Sequence, residues 1–186
     1  MKRVFDLAIC VILLLGLILV MLFIVFAIRL TSKGPLLYWS NRIGKDNKAF
    51  KMPKFRSMVL DTPTLATHLL NNPETYLSPI GGFLRTTSLD ELPQLFSVIR
   101  GDMSLVGPRP ALYNQDDLIN LRMKEGVEKL LPGITGWAQV NGRDELSVPE
   151  KVSLDVEYLN RQSFLFDVKI LVMTFLKILK RDGVSH

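Results

Sequence analysis

From Leu7 to Ile28 the chain runs for 22 residues without a charge, and Leu, Ile, Val, Phe and Met fill most of it. As a helix such a run reaches about 33 Å, close to the thickness of a bilayer's hydrocarbon core. A secretory signal has a shorter apolar region and small residues at a cleavage site, and no such site follows Ile28. The run therefore predicts a retained membrane helix, with a buried core helix as the alternative. Lys2 and Arg3 precede it; Arg29, Lys33, Arg42, Lys45 and Lys48 follow. The larger basic cluster places the remainder of the chain on the cytoplasmic face. With both flanks basic, a spanning helix and a re-entrant one that leaves by the face it entered both satisfy the charges. Residues 1–33 are thus expected as an anchor, and 34–186 as a folded domain on the cytoplasmic side.

The rest of the chain narrows the class of partner. A net charge of +5 and a pI near 9.4 suit anionic headgroups or phosphorylated substrates. No helix-turn-helix, zinc-finger or RNA-binding signature is present, which argues against nucleic acid. Cys10, inside the apolar run, is the only cysteine, so an internal disulfide and a thiolate metal cluster are both excluded.

The remaining segments predict an α+β domain, mainly helical, with a small β-hairpin. Thr31–Pro35 breaks the first helix. Leu36–Trp39 and Phe50–Met52 flank the turn-like Gly44–Asn47 and read as the hairpin. Lys51, Lys54 and Arg56 then fall among Phe50 and Phe55, either as a solvated edge strand closed by Pro53 or as phosphate contacts. Asp61–Pro79 is rich in Thr, Asn and Pro and reads as a loop around a short helical candidate at Leu65–Leu70; His68 within it is expected at the surface. Leu118–Lys129 and Val148–Leu159 read as helices, Pro132–Gly136 as a turn, Trp137–Val140 as a strand and Asn141-Gly142 as a turn. In the last helix, about 164–181, Val168, Leu171, Val172, Phe175, Leu176, Ile178 and Leu179 share one side. Lys169, Lys177, Lys180 and Arg181 share the other with Asp167 and Thr174. A basic amphipathic helix of this kind suits a membrane interface, and a cover over the domain core is the alternative.

Ser88–Pro110 carries the chemistry. Asp90 and Glu91 are adjacent acids just ahead of Pro93, which fits only the first turn of a helix. A helix from Leu89 or Asp90 to Arg100, stopped by Gly101, is the expectation, with Leu92, Leu95, Phe96 and Ile99 as its buried face. Ser88 and Glu91 also match a capping box, so the acids could simply cap that helix. Gly107-Pro-Arg-Pro110 fixes φ on both sides of Arg109, whose planar fork of donors suits a phosphate or carboxylate. Acids that can act as metal ligand or nucleophile, beside fixed cations and a membrane helix, point to an enzyme acting on phosphorylated substrates, one of them a lipid.

Four strings carry a closer likeness: Lys54-Phe-Arg-Ser-Met58, Arg85-Thr-Thr-Ser-Leu-Asp-Glu-Leu-Pro-Gln-Leu95, Gly101-Asp-Met-Ser-Leu-Val-Gly-Pro-Arg-Pro110 and Pro132-Gly-Ile-Thr-Gly-Trp-Ala-Gln-Val-Asn-Gly-Arg143. In this order they resemble the minimal form of the bacterial monotopic phosphoglycosyl transferases. That resemblance implies transfer of a phosphosugar from a nucleotide diphosphate-sugar, with uridine as the family's nucleotide, to undecaprenyl phosphate at the cytoplasmic face of the bacterial inner membrane. Such transfer starts synthesis of a cell-surface glycan. It implies a ping-pong path with Asp90 as nucleophile and Mg²⁺ ligand, and Glu91 as its metal or proton-handling partner. Lys54, Arg85, Arg109 and Arg143 become candidate phosphate or nucleotide contacts, with Arg56, Gln139 and Asn141 from the same strings and Asp155 at a further matching position. Three positions depart from the family pattern. Leu7–Ile28 has no Ser-Pro break, Ile43 stands where relatives have proline, and Leu131 where they often have a basic residue. A lipid-diphosphate hydrolase and a non-enzymatic membrane-recruitment module remain the alternatives, and the exposed hairpin and helices leave a homodimer open.

Overall fold

The computed structural model describes residues 2–63, 72–142 and 145–180; the 65–70 helical candidate, His68, Arg143 and Arg181 lie outside them. Helix α1, Lys2–Thr31, is continuous through the whole apolar run. Among the described residues it is the one helix long and apolar enough to cross a membrane. Its two sides differ. Asp6, Cys10, Ile24 and Ile28 are buried at helical spacing. Cys10 packs into a core with Met52, Leu95, Val98 and Met103, whereas Ile24 and Ile28 pack with Phe55 and Leu84. On the far side Leu15, Leu19, Phe23 and Leu30 are largely exposed.

Polar contacts fasten both ends of α1 to the same domain. Lys2 reaches the buried Asp167 at 2.6 Å, and Arg3 donates to the carbonyls of Val98 and Ile99. Asp6 accepts from the Ser104 hydroxyl at 2.7 Å. At the other end Arg56, expected at a phosphate site, is buried and donates to the carbonyls of Ser32 and Lys33 and to the Ser32 hydroxyl. Its donors hold the two residues that follow α1. That placement takes Arg56 away from the acids.

The hairpin is present and longer than the sequence suggests: β1, Leu37–Ile43, pairs antiparallel with β2, Ala49–Phe55. Its turn uses left-handed φ at Asp46 and Asn47. Strand β4, Ala111–Leu112, adds to the other side of β1, so β2 is an edge strand and tolerates Pro53. A second, two-stranded sheet pairs β3, Ser104–Val106, in parallel with β5, Gly133–Thr135. The segment Pro132–Gly136 is therefore partly a strand and not a turn. A Cβ on Gly133 would sit 2.1 Å from the Gly107 nitrogen, and one on Gly107 2.3 Å from the Leu131 carbonyl oxygen. Only glycine at both positions allows this backbone contact.

The helices follow with adjusted bounds. Helix α2, Gly81–Thr86, precedes a 3-10 turn at Leu89–Glu91, and α3 begins only at Gln94 and runs to Arg100 before Gly101. Pro93, lacking an N–H, splits the expected single helix. The split rephases its buried face: Leu95 and Val98 point inward, while Phe96 and Ile99 are exposed. Helix α4, Asp116–Lys124, stops early because Gly126 takes φ +74, and a 3-10 turn covers Val127–Lys129. Trp137–Asn141 is a short helix, α5, and not a strand. Helix α6, Val148–Arg161, starts on a capping box of Ser147 and Glu150 and overruns its expected end by two residues, 161 against 159.

Helix α7, Phe164–Lys180, both covers the domain and presents an apolar side. Phe166 and Ile170 are buried, as is Asp167, which also accepts from the Tyr158 hydroxyl at 2.7 Å. The Thr174 hydroxyl meets that of Thr135 at 2.7 Å. Asp167 and Thr174 thus face the protein instead of joining the lysine side, because Lys2 and Thr135 satisfy them. Leu165, Val172, Phe175 and Leu176 are exposed.

Candidate active site

Asp90 and Glu91 occupy the 3-10 turn between α2 and α3. Ser88 before them is left-handed, φ +56, and its side chain makes no cap hydrogen bond. The capping-box reading fails for that reason: in this conformation the hydroxyl is not aimed at the amides of the following turn. The acids are therefore available for other partners.

Strand β2 brings one partner and the loop after β3 the other. Lys54 Nζ lies 2.8 Å from Glu91 Oε1 and 3.9 Å from Asp90 Oδ2. Arg109 grips the same Glu91 from Gly107–Pro110, with Nη2 2.7 Å from Oε1 and Nη1 3.4 Å from Oε2. The two acids consequently differ. Burial opposes the charge of Glu91, but Arg109 and Lys54 outweigh it and hold its carboxyl well below the usual carboxylate range. Asp90 is 5% exposed, and burial pushes its carboxyl above its ordinary value against the pull of Lys54, Arg85 and Arg109. Glu91 is thus held by two cations in direct contact, while the nearest of them to Asp90, Lys54, stands at 3.9 Å.

The remaining predicted residues lie at different distances from this centre. Arg85 contributes its field to Asp90 and has Nη1 3.7 Å from Met58 Sδ. Gln139 sits by the base of the loop: a Cβ on Gly136 would lie 2.8 Å from Gln139 Oε1 and 2.1 Å from the Gly107 oxygen. Both polar atoms of its amide are buried without a partner among the described residues. Asn141 Nδ2 donates to the Trp137 carbonyl of its own helix. Asp155 is buried behind the loop and bonded to Arg122. Asp90, Glu91, Lys54, Arg85 and Arg109 form the cluster, whereas Arg56, Asn141 and Asp155 do not join it.

Two residues escape a reading of the sequence. Arg42 stands there only as a flanking charge, yet it donates to Ser40 Oγ and to the Pro110 carbonyl. Burial, with Arg109 next to it, pulls its guanidinium down to about 10, Glu91 opposing. Arg122 is inconspicuous inside the α4 pattern. It stands one helical turn from the buried Leu118, and a charge on a buried face needs a partner. That is the available signal.

No group of three or more His, Cys, Asp or Glu that could hold a metal occurs among the described residues. The donor set still fits Mg²⁺, which commonly takes one or two carboxylates and completes its shell with water and substrate phosphates. Asp90 is the carboxylate to supply, since Lys54 and Arg109 occupy Glu91.

Comparison with known proteins identifies the family. The family model described as bacterial sugar transferase matches residues 1–181. An uncharacterized sugar transferase of Bacillus subtilis, EpsL, is 40% identical over 186 residues, covering all of this chain and 91% of that protein. An undecaprenyl-phosphate glucose phosphotransferase of Komagataeibacter xylinus is 42% identical over all of this chain, which spans 36% of that protein. A UDP-glucose:undecaprenyl-phosphate glucose-1-phosphate transferase of Escherichia coli is 40% identical over 95% of this chain and 40% of its own length. The chain thus spans nearly all of one relative but well under half of the other two. By the family match over residues 1–181 and the likeness to the Bacillus subtilis protein along nearly its whole length, this chain belongs to the bacterial sugar transferase family.

Proposed function

We propose that this chain transfers a sugar 1-phosphate from a nucleotide diphosphate-sugar, with uridine the nucleotide, to undecaprenyl phosphate or a similar polyprenyl phosphate. The observation that carries this reading is the inequality of the two acids, a buried Asp90 beside a Glu91 already neutralised by Lys54 and Arg109. The relatives named for undecaprenyl-phosphate transfer support the acceptor.

In the first step an oxygen of Asp90 attacks the sugar-bearing phosphorus. The bond from that phosphorus to the bridging oxygen breaks, and nucleoside monophosphate leaves with the electron pair. Lys54 and Arg109 balance the charge of the donor's diphosphate, and Glu91 keeps both cations in place until the donor arrives. In the second step a phosphate oxygen of the lipid attacks the same phosphorus and displaces Asp90, giving the polyprenyl diphosphate-sugar. Splitting the transfer in two means the large donor and acceptor need not be bound together. Mg²⁺, held by Asp90 and the phosphates, would offset phosphate charge near the attacking anion.

The decisive variant is Asp90→Asn. It is expected to lose transfer altogether and to form no phosphosugar adduct on the protein, with thermal stability retained. Full turnover by that variant, with nucleoside monophosphate release measured on a panel of nucleotide sugars, would sink the nucleophile assignment.

The contacts at both ends of α1 support one membrane disposition. A helix with both ends fastened to one folded domain cannot deliver them to opposite faces while that domain stays on one face. On this reading α1 lies along the cytoplasmic face of the inner membrane with Leu15, Leu19, Phe23 and Leu30 in lipid. A cysteine inserted after Met1, in a Cys10→Ser background, should resist an impermeant maleimide in intact cells. External labelling would mean that α1 crosses.

A further inference from the structure

Gly107–Pro110 has few means of holding its own shape. Pro108 and Pro110 have no N–H to donate. Its last three carbonyls are taken from outside: Pro108 by the Gly133 N–H at 2.9 Å, Arg109 by Arg122 Nη1 at 2.8 Å and Pro110 by Arg42 Nη1 at 3.1 Å. The middle bond acts on the residue whose side chain holds Glu91.

Arg122 is itself held from behind. Its Nε and Nη2 donate to Asp155 Oδ2 at 2.9 and 2.6 Å, and the Asp155 side chain is 1% exposed. A chain of contacts therefore runs from α6 through Asp155, through Arg122 on α4, to the backbone of Arg109, and through its guanidinium to Glu91. We infer that Arg122, oriented by Asp155, is a positioning residue that sets where the Arg109 guanidinium stands.

Arginine suits this task because its rigid fork serves two partners in different directions. Nε and Nη2 face the carboxylate and Nη1 faces the carbonyl. An ammonium in its place keeps a charge beside Asp155 but lacks that fork. The relay also gives Asp155 a role that needs no contact with substrate. The kinetic consequence rests on the transfer reading above; the placement of Arg109 does not.

The test uses Arg122→Lys in the full-length protein, which leaves no bare buried carboxylate. Phenylglyoxal modification mapped by mass spectrometry should proceed several-fold faster at Arg109 than in the parent chain, with the exposed Arg100 unchanged. An unchanged Arg109 rate, or equal acceleration at Arg100, would overturn the relay. In steady-state assays kcat/KM for the nucleotide sugar should fall between about tenfold and a hundredfold, the scale of a small misplacement, with kcat/KM for the polyprenyl phosphate little altered. In an Arg109→Ala background Arg122→Lys should add no further loss. Losses that multiply would show that Arg122 acts elsewhere. If the parent chain releases no nucleoside monophosphate from any donor, the transfer reading fails, while the Arg109 modification rates still judge the relay.

Discussion

The two sides of the Gly107–Pro110 loop each set a poorly accessible carboxylate against an arginine, and the two carboxylates respond oppositely. In front, Glu91 meets both Arg109 and Lys54 at hydrogen-bond distance and is held well below the usual range despite its burial. Behind, Asp155 has Arg122 bonded to it and Lys151 as a more remote charge, and burial pushes its carboxyl up. Pairing does not by itself make a buried acid comfortable. The number of cations in contact, weighed against the loss of water, decides the direction. The front has cations to share with an incoming phosphate. The back is a closed pair whose use is mechanical.

Three measurements would break or sharpen this contrast. The largest effect is expected behind the loop. Arg122→Met should cost about 3–5 kcal/mol by denaturant unfolding, because it leaves Asp155 charged and alone. Asp155→Asn should cost clearly less, since its amide oxygen can still accept from Arg122. Equal costs would mean that the pair is not the closed unit described.

Next comes Glu91→Gln in front, with an expected loss of about a hundredfold in kcat/KM and an intact fold by circular dichroism. Unaltered kinetics would make the front as purely structural as the back. The smallest effect is in pH dependence, and its sign differs between the two sides. The depressed carboxyl of Glu91 contributes stability that is fully present above its ordinary, unfolded value and is lost as pH falls from there through its lowered folded value. The stability gap between the parent chain and Glu91→Gln should therefore be full above the ordinary carboxylate value, narrow as pH falls below it, and be closed once pH is below the lowered folded value. Asp155, being raised, disfavours the folded state as pH rises from its unfolded to its folded value. Asp155→Asn should flatten the stability profile in that window, and an unchanged slope would contradict the assignment.

The parts of the molecule legible in advance were those governed by neighbours in sequence. The long apolar helix, the hairpin around Gly44–Asn47 and the stop at Gly101 follow from hydrophobic runs and turn residues. The acids before Pro93 and the stiff Arg109 were legible because proline narrows the backbone. Other features depended on partners far along the chain. Trp137–Val140 reads as a strand by composition, yet it forms the helix α5, with Trp137 packed on Phe166 and bonded to Glu157. Arg56 looks like a phosphate contact until the end of α1 arrives to take its donors. Arg143, matched by motif, lies outside the described residues.

By itself the sequence determined that a long apolar helix must find an apolar surrounding, that two acids sit in one tight turn, and that Arg109 has little backbone freedom. Those outcomes are local, set by sterics, proline geometry and the cost of leaving apolar surface in water. Only the tertiary structure decided that α1 is fastened to the domain at both ends and that Glu91, not Asp90, takes the close cations. It likewise decided that Asp155 is buried and paired with Arg122. A charge's partner and exposure arise from segments 37, 18 and 33 residues apart meeting in space, as Lys54 with Glu91, Arg109 with Glu91 and Arg122 with Asp155. Electrostatics follows that spatial distance and burial, which no local pattern encodes.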